Sequence, residues 1–151
     1  MKDISGDLDN YHKKDIAMQH FNLALTEYVR GDNLFSVIHL AGAAEEMFGK
    51  LLVIKGKESA LSKVQKWLQS WYSITKKETP KAGILNKQIL KVKNGVKHID
   101  DSTDLIITFD IKKESNQIIR RAIENFKQLP EVKTSKELLA YYEYDRDTDV
   151  A

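Results

Sequence analysis

Apolar residues recur at helical spacing five times along this chain, and each run ends at glycine, proline or a cluster of small polar residues. Residues 9–30 carry Ile16, Ala17, Phe21, Leu25 and Tyr28 on one side and close at Gly31. Asp32 or Asn33 is placed to cap a second helix that runs to residue 55, ahead of Gly56. This helix is apolar almost all round, which predicts a central position. A third, over residues 59–76, presents Leu61, Val64, Leu68 and Trp71 at heptad-like spacing. Thr79 as cap and Pro80 at the first helical position open a fourth helix to residue 99. Asp101, Ser102, Thr103 and Asp104 interrupt the pattern, and Leu105 to Phe109 form a short β-prone run. Asp110 caps the fifth helix, whose Ile119, Ala122, Phe126 and Leu129 point inward before Pro130 ends it. The expected fold is all-α: a five-helix up-down bundle with a short extended hook between helices 4 and 5. Short joins make neighbouring helices antiparallel.

The chain has 151 residues, enough for one core and too few for two. The expected division is a helical bundle over residues 1–130 and a short acidic C-terminal tail over 131–151. A weak helix at 137–144 is expected in that tail, with Tyr141, Tyr142 and Tyr144 docked loosely or mobile. The chain contains no cysteine, which excludes a disulfide framework, a thiolate metal site and a cysteine nucleophile together. Its opening stretch, MKDISGDLDN, is polar and acidic, unlike a signal peptide. The most apolar long stretch, 34–54, is interrupted by Glu45, Glu46 and Lys50, so no membrane span is expected. A cytoplasmic location fits these features.

The balance of 24 basic against 22 acidic residues conceals a segregation. Lys76, Lys77, Lys81, Lys87, Lys91, Lys93 and Lys97 crowd the region up to His98, with Glu78 the single acid there. Asp100, Asp101, Asp104 and Asp110 follow with no intervening base, and five more acids fall in the tail from Glu137. The fourth helix is therefore the basic element. It reads either as a solvated helix face beside its own acidic neighbours or as a phosphate-binding surface. At about 100° per residue, Leu85, Ile89, Val92, Val96 and Ile99 share one arc, the expected core side. Lys87, Lys91, Asn94 and His98 line up on a second arc, and Lys93 and Lys97 lie on the opposite flank. His98 in a last helical turn also suits the negative end of the helix dipole, an architectural reason for the same residue.

The run Asn94-Gly95-Val96-Lys97-His98-Ile99-Asp100-Asp101, followed by Ile107-Thr108-Phe109-Asp110, resembles a group of short bacterial helical proteins of unassigned function. That group pairs an Asn-x-x-Lys-His helix end with an earlier His-x-Ala-x-Ala-Ala-x-Glu helix, which here reads His39-Leu40-Ala41-Gly42-Ala43-Ala44-Glu45-Glu46. The likeness covers about residues 15–130. The five-helix plan and helix-end histidine are also similar to HEPN domains, which include RNA-cleaving toxins and non-catalytic binders of RNA or nucleotides. Their nuclease motif, an arginine followed by a polar residue and then a histidine, corresponds here to Lys93, Asn94 and His98. The resemblance implies His98 as proton carrier, Asn94 as orienting group and Lys93 or Lys91 as phosphate holder, with Lys87, Lys91 and Lys97 on the nucleic acid. Lysine in place of arginine supplies a point charge without the bidentate fork, which weakens any metal-independent ribonuclease activity. The resemblance further implies a homodimer with a site built across two subunits. RNA or a nucleotide is the expected partner. The competing class is a non-enzymatic interaction or scaffold protein whose polar stripe meets a protein partner.

On the central helix, His39, Gly42, Glu46, Gly49 and Val53 share one stripe, and the two glycines admit a close neighbour. Glu45 falls among Ile38, Ala41, Phe48 and Leu52, and a carboxylate there needs a partner. Candidate partners are a lysine or histidine of the fourth helix, Tyr28, or backbone at a helix end. His39, Glu45 and Glu46 are read as buried polar groups that fix helix register. A metal assembled from His39, Glu46 and His98 is imaginable, but the repeated Glu-x-x-His pattern of helical di-metal sites is lacking, so neither metal nor cofactor is expected. Trp67 and Trp71, four residues apart beside Tyr72, read as core or dimer contact before they read as a base-stacking platform. No glycine-rich phosphate loop, serine nucleophile motif or His-Glu-x-x-His signature occurs.

Overall fold

In the computed structural model, which describes residues 9–75 and 78–149, the chain is helical with no strand among the described residues. Among the described residues seven helices follow in order: α1 Lys13–Arg30, α2 Leu34–Ile54, α3 Ala60–Thr75, α4 Ala82–Ile89, α5 Lys91–Gly95, α6 Ile111–Lys127 and α7 Lys136–Asp149. The all-α class holds, whereas the expected count of five does not. The fourth expected helix is two pieces, and the tail contributes a seventh element. The expected end of the third helix at Lys76, the charges of Lys76 and Lys77, the opening residues 1–8 and the last two residues lie outside the described residues. No described helix is long and apolar enough to cross a membrane.

Local chemistry accounts for the boundaries. Gly31, at φ 75°, closes α1 with its N–H on Glu27 O, and Asn33 Oδ1 accepts from Ser36 N–H at 3.2 Å to open α2. This three-residue join folds α2 back along α1. Asp110 opens α6 by accepting from Lys113 N–H at 3.0 Å. Thr79 and Pro80, expected to start a helix, stay outside α4. Lys81 is extended at ψ 150° and takes the cap position, so the helix begins two residues beyond the proline.

The core joins α1, α2, α6 and α7. Phe21, Phe48 and Phe126 form a ring cluster with centroids 5.8–6.1 Å apart. All four inward residues expected on the fifth helix, Ile119, Ala122, Phe126 and Leu129, are buried here on or just after α6. Tyr141 of the tail does more than dock loosely: it is 1% exposed and its ring meets that of Tyr28 at a tilt, with centroids 5.8 Å apart. Helices α3, α4 and α5 lie outside this core. Of α3 only Ala60 is buried, so Trp67 and Trp71, expected as core or dimer contact, are exposed in the single chain.

The break between α4 and α5 corrects the wheel drawn for one straight helix. Leu90 sits at φ −94° and ψ 4°, and α5 ends at Gly95 rather than Ile99. Two consequences follow. Ile99, placed on the core arc, is 73% exposed, and Lys93, placed on an outer flank, is 5% exposed. Lys93 enters because Gly42 leaves room: a Cβ at residue 42 would stand 3.0 Å from Lys93 Cε.

Candidate nucleic-acid interface

The hook after α5 is held at several points, and those points shape a cleft. Ile107 lies over Gly95 so closely that a Cβ at 95 would stand 2.5 Å from Ile107 Cδ1. This contact is why the chain can use glycine in a helix, where it costs up to about 1 kcal/mol relative to alanine. Phe109 meets Phe35 edge-on with centroids 6.4 Å apart. Within the hook, Thr103 donates its N–H and its hydroxyl to Asp101 Oδ1 at 2.7 and 2.6 Å, and these bonds hold the Asp101 carboxyl below its ordinary pKa. Asp104 Oδ2 accepts from Asp100 N–H at 3.1 Å.

Between this hook and the α4–α5 pair lies a cleft of about 780 Å³ whose walls include Lys87, Lys91, Asn94 and His98. The four residues of the expected polar stripe are therefore brought together. Asp100 and Asp104 line the opposite wall, so the cleft offers ammonium donors on one side and carboxylate acceptors on the other. Backbone continuity carries His98 just past the helix, with its N–H on Asn94 O at 3.2 Å. Lys97 is exposed and stands outside these walls.

A second cleft of about 630 Å³ opens on the neighbouring side, between α3, α6 and the same hook. Trp67, which is 64% exposed, forms one wall with Val64, and Arg120 and Arg121 stand on another. Lys91 and Thr108 line both clefts, so the two adjoin at these residues. Arg120 reaches Asp145 of α7 at 3.2 Å.

Lys93 is not part of this surface. Its stem crosses Gly42 and its ammonium meets Glu46 Oε2 at 3.3 Å, on the far side of α5 from His98. The set Lys93, Asn94 and His98 is thus divided: Asn94 and His98 face the lysine cleft, and Lys93 is buried against α2. Of the three residues expected as buried polar groups, Glu45 is, at 3% exposure, while His39 and Glu46 are exposed. The correction follows from helix geometry, since α2 meets α1 and α6 along one broad face and turns His39 and Glu46 away from it.

Glu45 finds a partner that sequence reasoning did not name. Arg121 of α6 donates Nε to Oε1 at 2.7 Å and Nη2 to Oε2 at 3.4 Å. One turn further on, Asn125 donates Nδ2 to Glu45 O at 3.0 Å and accepts from Ala60 N–H at 2.7 Å. The available signal was Asn125 itself, a polar residue falling between Ala122 and Phe126 on the inward face of the helix. Among the described residues, no three histidine, aspartate or glutamate side chains converge as metal ligands. Comparison with family models, with curated proteins and with solved structures gives no match.

Proposed function

We propose that this chain is a HEPN-like module that binds single-stranded RNA along the joined clefts and does not cleave it efficiently. The observation that carries the reading is the sharing of Lys91 and Thr108 by the two clefts. It sets an exposed indole beside a lysine stripe, and aromatic stacking next to a basic groove is how single strands are held without sequence preference. Lys87 and Lys91 would take phosphates, and Trp67 a base. Asp100 and Asp104 supply acceptors for the ribose 2′-hydroxyl, the group that distinguishes RNA from DNA. Binding is preferred to cleavage because Lys93, the counterpart of the motif arginine, stands apart from His98. The homodimer implied by the resemblance belongs to the same reading, and sedimentation equilibrium tests it.

Fluorescence anisotropy with a labelled RNA strand of mixed sequence and its DNA counterpart tests the binding. Reversing both charges with Lys87→Glu and Lys91→Glu is expected to weaken RNA affinity at least tenfold and to flatten its salt dependence. Trp67→Ala is expected to weaken it by roughly fivefold to a hundredfold, the scale of one stacked base. Unchanged affinity in both variants would sink the reading. The RNA should also remain intact with or without chelator. A second reading, a protein-interaction module, is favoured by one feature: Ile99, Leu105 and Ile106 are exposed around the lysine cleft. Under that reading RNA binding is negligible, and Leu105→Ser with Ile106→Ser removes the interaction.

A further inference from the structure

A third cavity, of about 460 Å³, lies between α2, α3, α5 and α6 and shares Asn94 with the lysine cleft. Its volume falls in the range of small-molecule sites. Val53, Leu61 and Leu90 give it apolar walls, while Lys93 supplies a charged group at the wall formed by α5. Most of the other polar groups here are already satisfied. Both Glu45 oxygens accept from Arg121, and both ends of the Asn125 amide are bonded within the fold.

Among the buried polar groups of this lining, Lys93 is the exception. Its ammonium carries three donors, and its hydrogen bond within the fold is the one to Glu46, at 3.3 Å. That is long for a charge-assisted bond, which is ordinarily about 2.7–2.9 Å. Glu46 is also weakly held, with its side chain 60% exposed against 6% for that of Lys93. A buried cation with unused donors, beside apolar walls and a carboxylate free to swing out, selects a ligand that accepts hydrogen bonds and carries negative charge. A cationic ligand could pair with Glu46 only by leaving the buried Lys93 ammonium without its counter-charge, since Glu45 is already paired with Arg121.

We infer that this cavity binds a small organic carboxylate with an apolar body, whose carboxylate replaces Glu46 at Lys93 while the body rests on Val53, Leu61 and Leu90. The inference does not rest on the RNA reading: Asn94 lines both sites, but none of Lys87, Lys91, His98 or Trp67 lines this cavity.

Hexanoate is a suitable probe, compared with acetate, hexanol and hexylamine by NMR titration of the full-length ¹⁵N-labelled protein. Hexanoate should bind saturably, shift amides around Gly49, Lys93 and Asn94, and exceed acetate in affinity by at least about tenfold. Glu46→Gln removes the internal competitor and should tighten hexanoate by roughly threefold to tenfold, the scale of one hydrogen bond. Lys93→Met, which keeps the stem over Gly42, should abolish the preference for hexanoate over hexanol. Lys50→Gln, at an exposed lysine of the same rim, should change affinity by less than about twofold. The inference is overturned if hexylamine binds as tightly as hexanoate, if Glu46→Gln leaves hexanoate affinity unchanged or weaker, or if Lys50→Gln costs as much as Lys93→Met. Should Lys93→Met fail to fold, the Glu46→Gln comparison still decides.

Discussion

Arg121 grips Glu45 from the neighbouring helix, with Nε 2.7 Å from Oε1, and this pair is the main polar tie between α6 and α2. Both side chains are withdrawn from solvent, at 13% and 3% exposure. Removing one partner strands a buried charge, which costs about 3–5 kcal/mol, whereas replacing both with apolar residues is often near neutral. Arg121→Met is therefore expected to lower unfolding free energy by about 3–5 kcal/mol in urea denaturation. Glu45→Leu combined with Arg121→Met should recover most of that loss. A double variant as unstable as the single one would mean that the pair contributes through something other than charge compensation.

Asn125 governs how α3 attaches. Its amide satisfies Ala60 N–H at the start of α3 and Glu45 O within α2. The amide fits because residue 49 is glycine, where a Cβ would stand 3.3 Å from Asn125 Nδ2. Asn125→Ala leaves the buried Ala60 N–H without its partner, at about 1–3 kcal/mol, and removes the second bond to Glu45 O, which keeps its intrahelical donor. Since α3 buries little else, the loss should be local. Hydrogen exchange is expected to accelerate in residues 60–75 well before it does in α1, α2 or α6. Uniform acceleration over all helices would show that Asn125 supports the whole core instead.

What the sequence disclosed and what it hid divide along physical lines. Inward positions on α1 and α6 followed from period alone, because Ala17, Phe21, Ala122 and Phe126 sit in straight helices that face one core. The same arithmetic failed beyond Leu90, where a local backbone step rotated what followed and carried Lys93 inward and Ile99 outward. The polar stripe stayed legible across that step, since Lys87, Lys91, Asn94 and His98 need only approximate angles to share a cleft. Glu45 was legible as a buried acid but its partner was not. Arg121 lies 76 residues away, and nothing local marks it among the arginines and lysines of α6. Trp71 shows a different limit: an apolar residue at heptad spacing predicts a buried face only where a neighbour exists to cover it.

Gly95 and Ile107 together hold the hook against α5. A methyl group at 95 would stand 2.5 Å from Ile107 Cδ1, so Gly95→Ala forces that side chain or the hook to move. Helix propensity alone favours alanine by up to about 1 kcal/mol, so the collision must exceed this for the variant to lose stability. We expect a net loss of about 1 kcal/mol, within the range for overpacking. The decisive quantity is the coupling: Gly95→Ala should be better tolerated when combined with Ile107→Ala, with an interaction energy of at least about 1 kcal/mol in a double-mutant cycle. Additive effects would separate the two residues. RNA affinity should fall with Gly95→Ala if the hook forms one wall of the binding cleft.

Tyr141 makes the docking of α7 sensitive to alkali. Its hydroxyl donates to Asn116 Oδ1 at 2.6 Å, and burial, aided by the nearby Asp145 charge, pushes its pKa up to about 12 from the ordinary value of 10.0. Tyr28, whose ring meets it, is also raised by burial. The native state favours the neutral phenols, so their contribution is complete below pH of about 10 and declines as pH rises toward about 12, where the unfolded chain has already released its protons. Thermal melting between pH 8 and 11.5 should therefore show a fall concentrated above pH of about 10. Tyr141→Phe is expected to melt lower at pH 8, having lost the bond to Asn116, yet to fall less steeply above pH 10. Its deficit relative to the parent should shrink as pH rises. A constant deficit across that range would mean that ionisation of Tyr141 has no part in the alkaline loss.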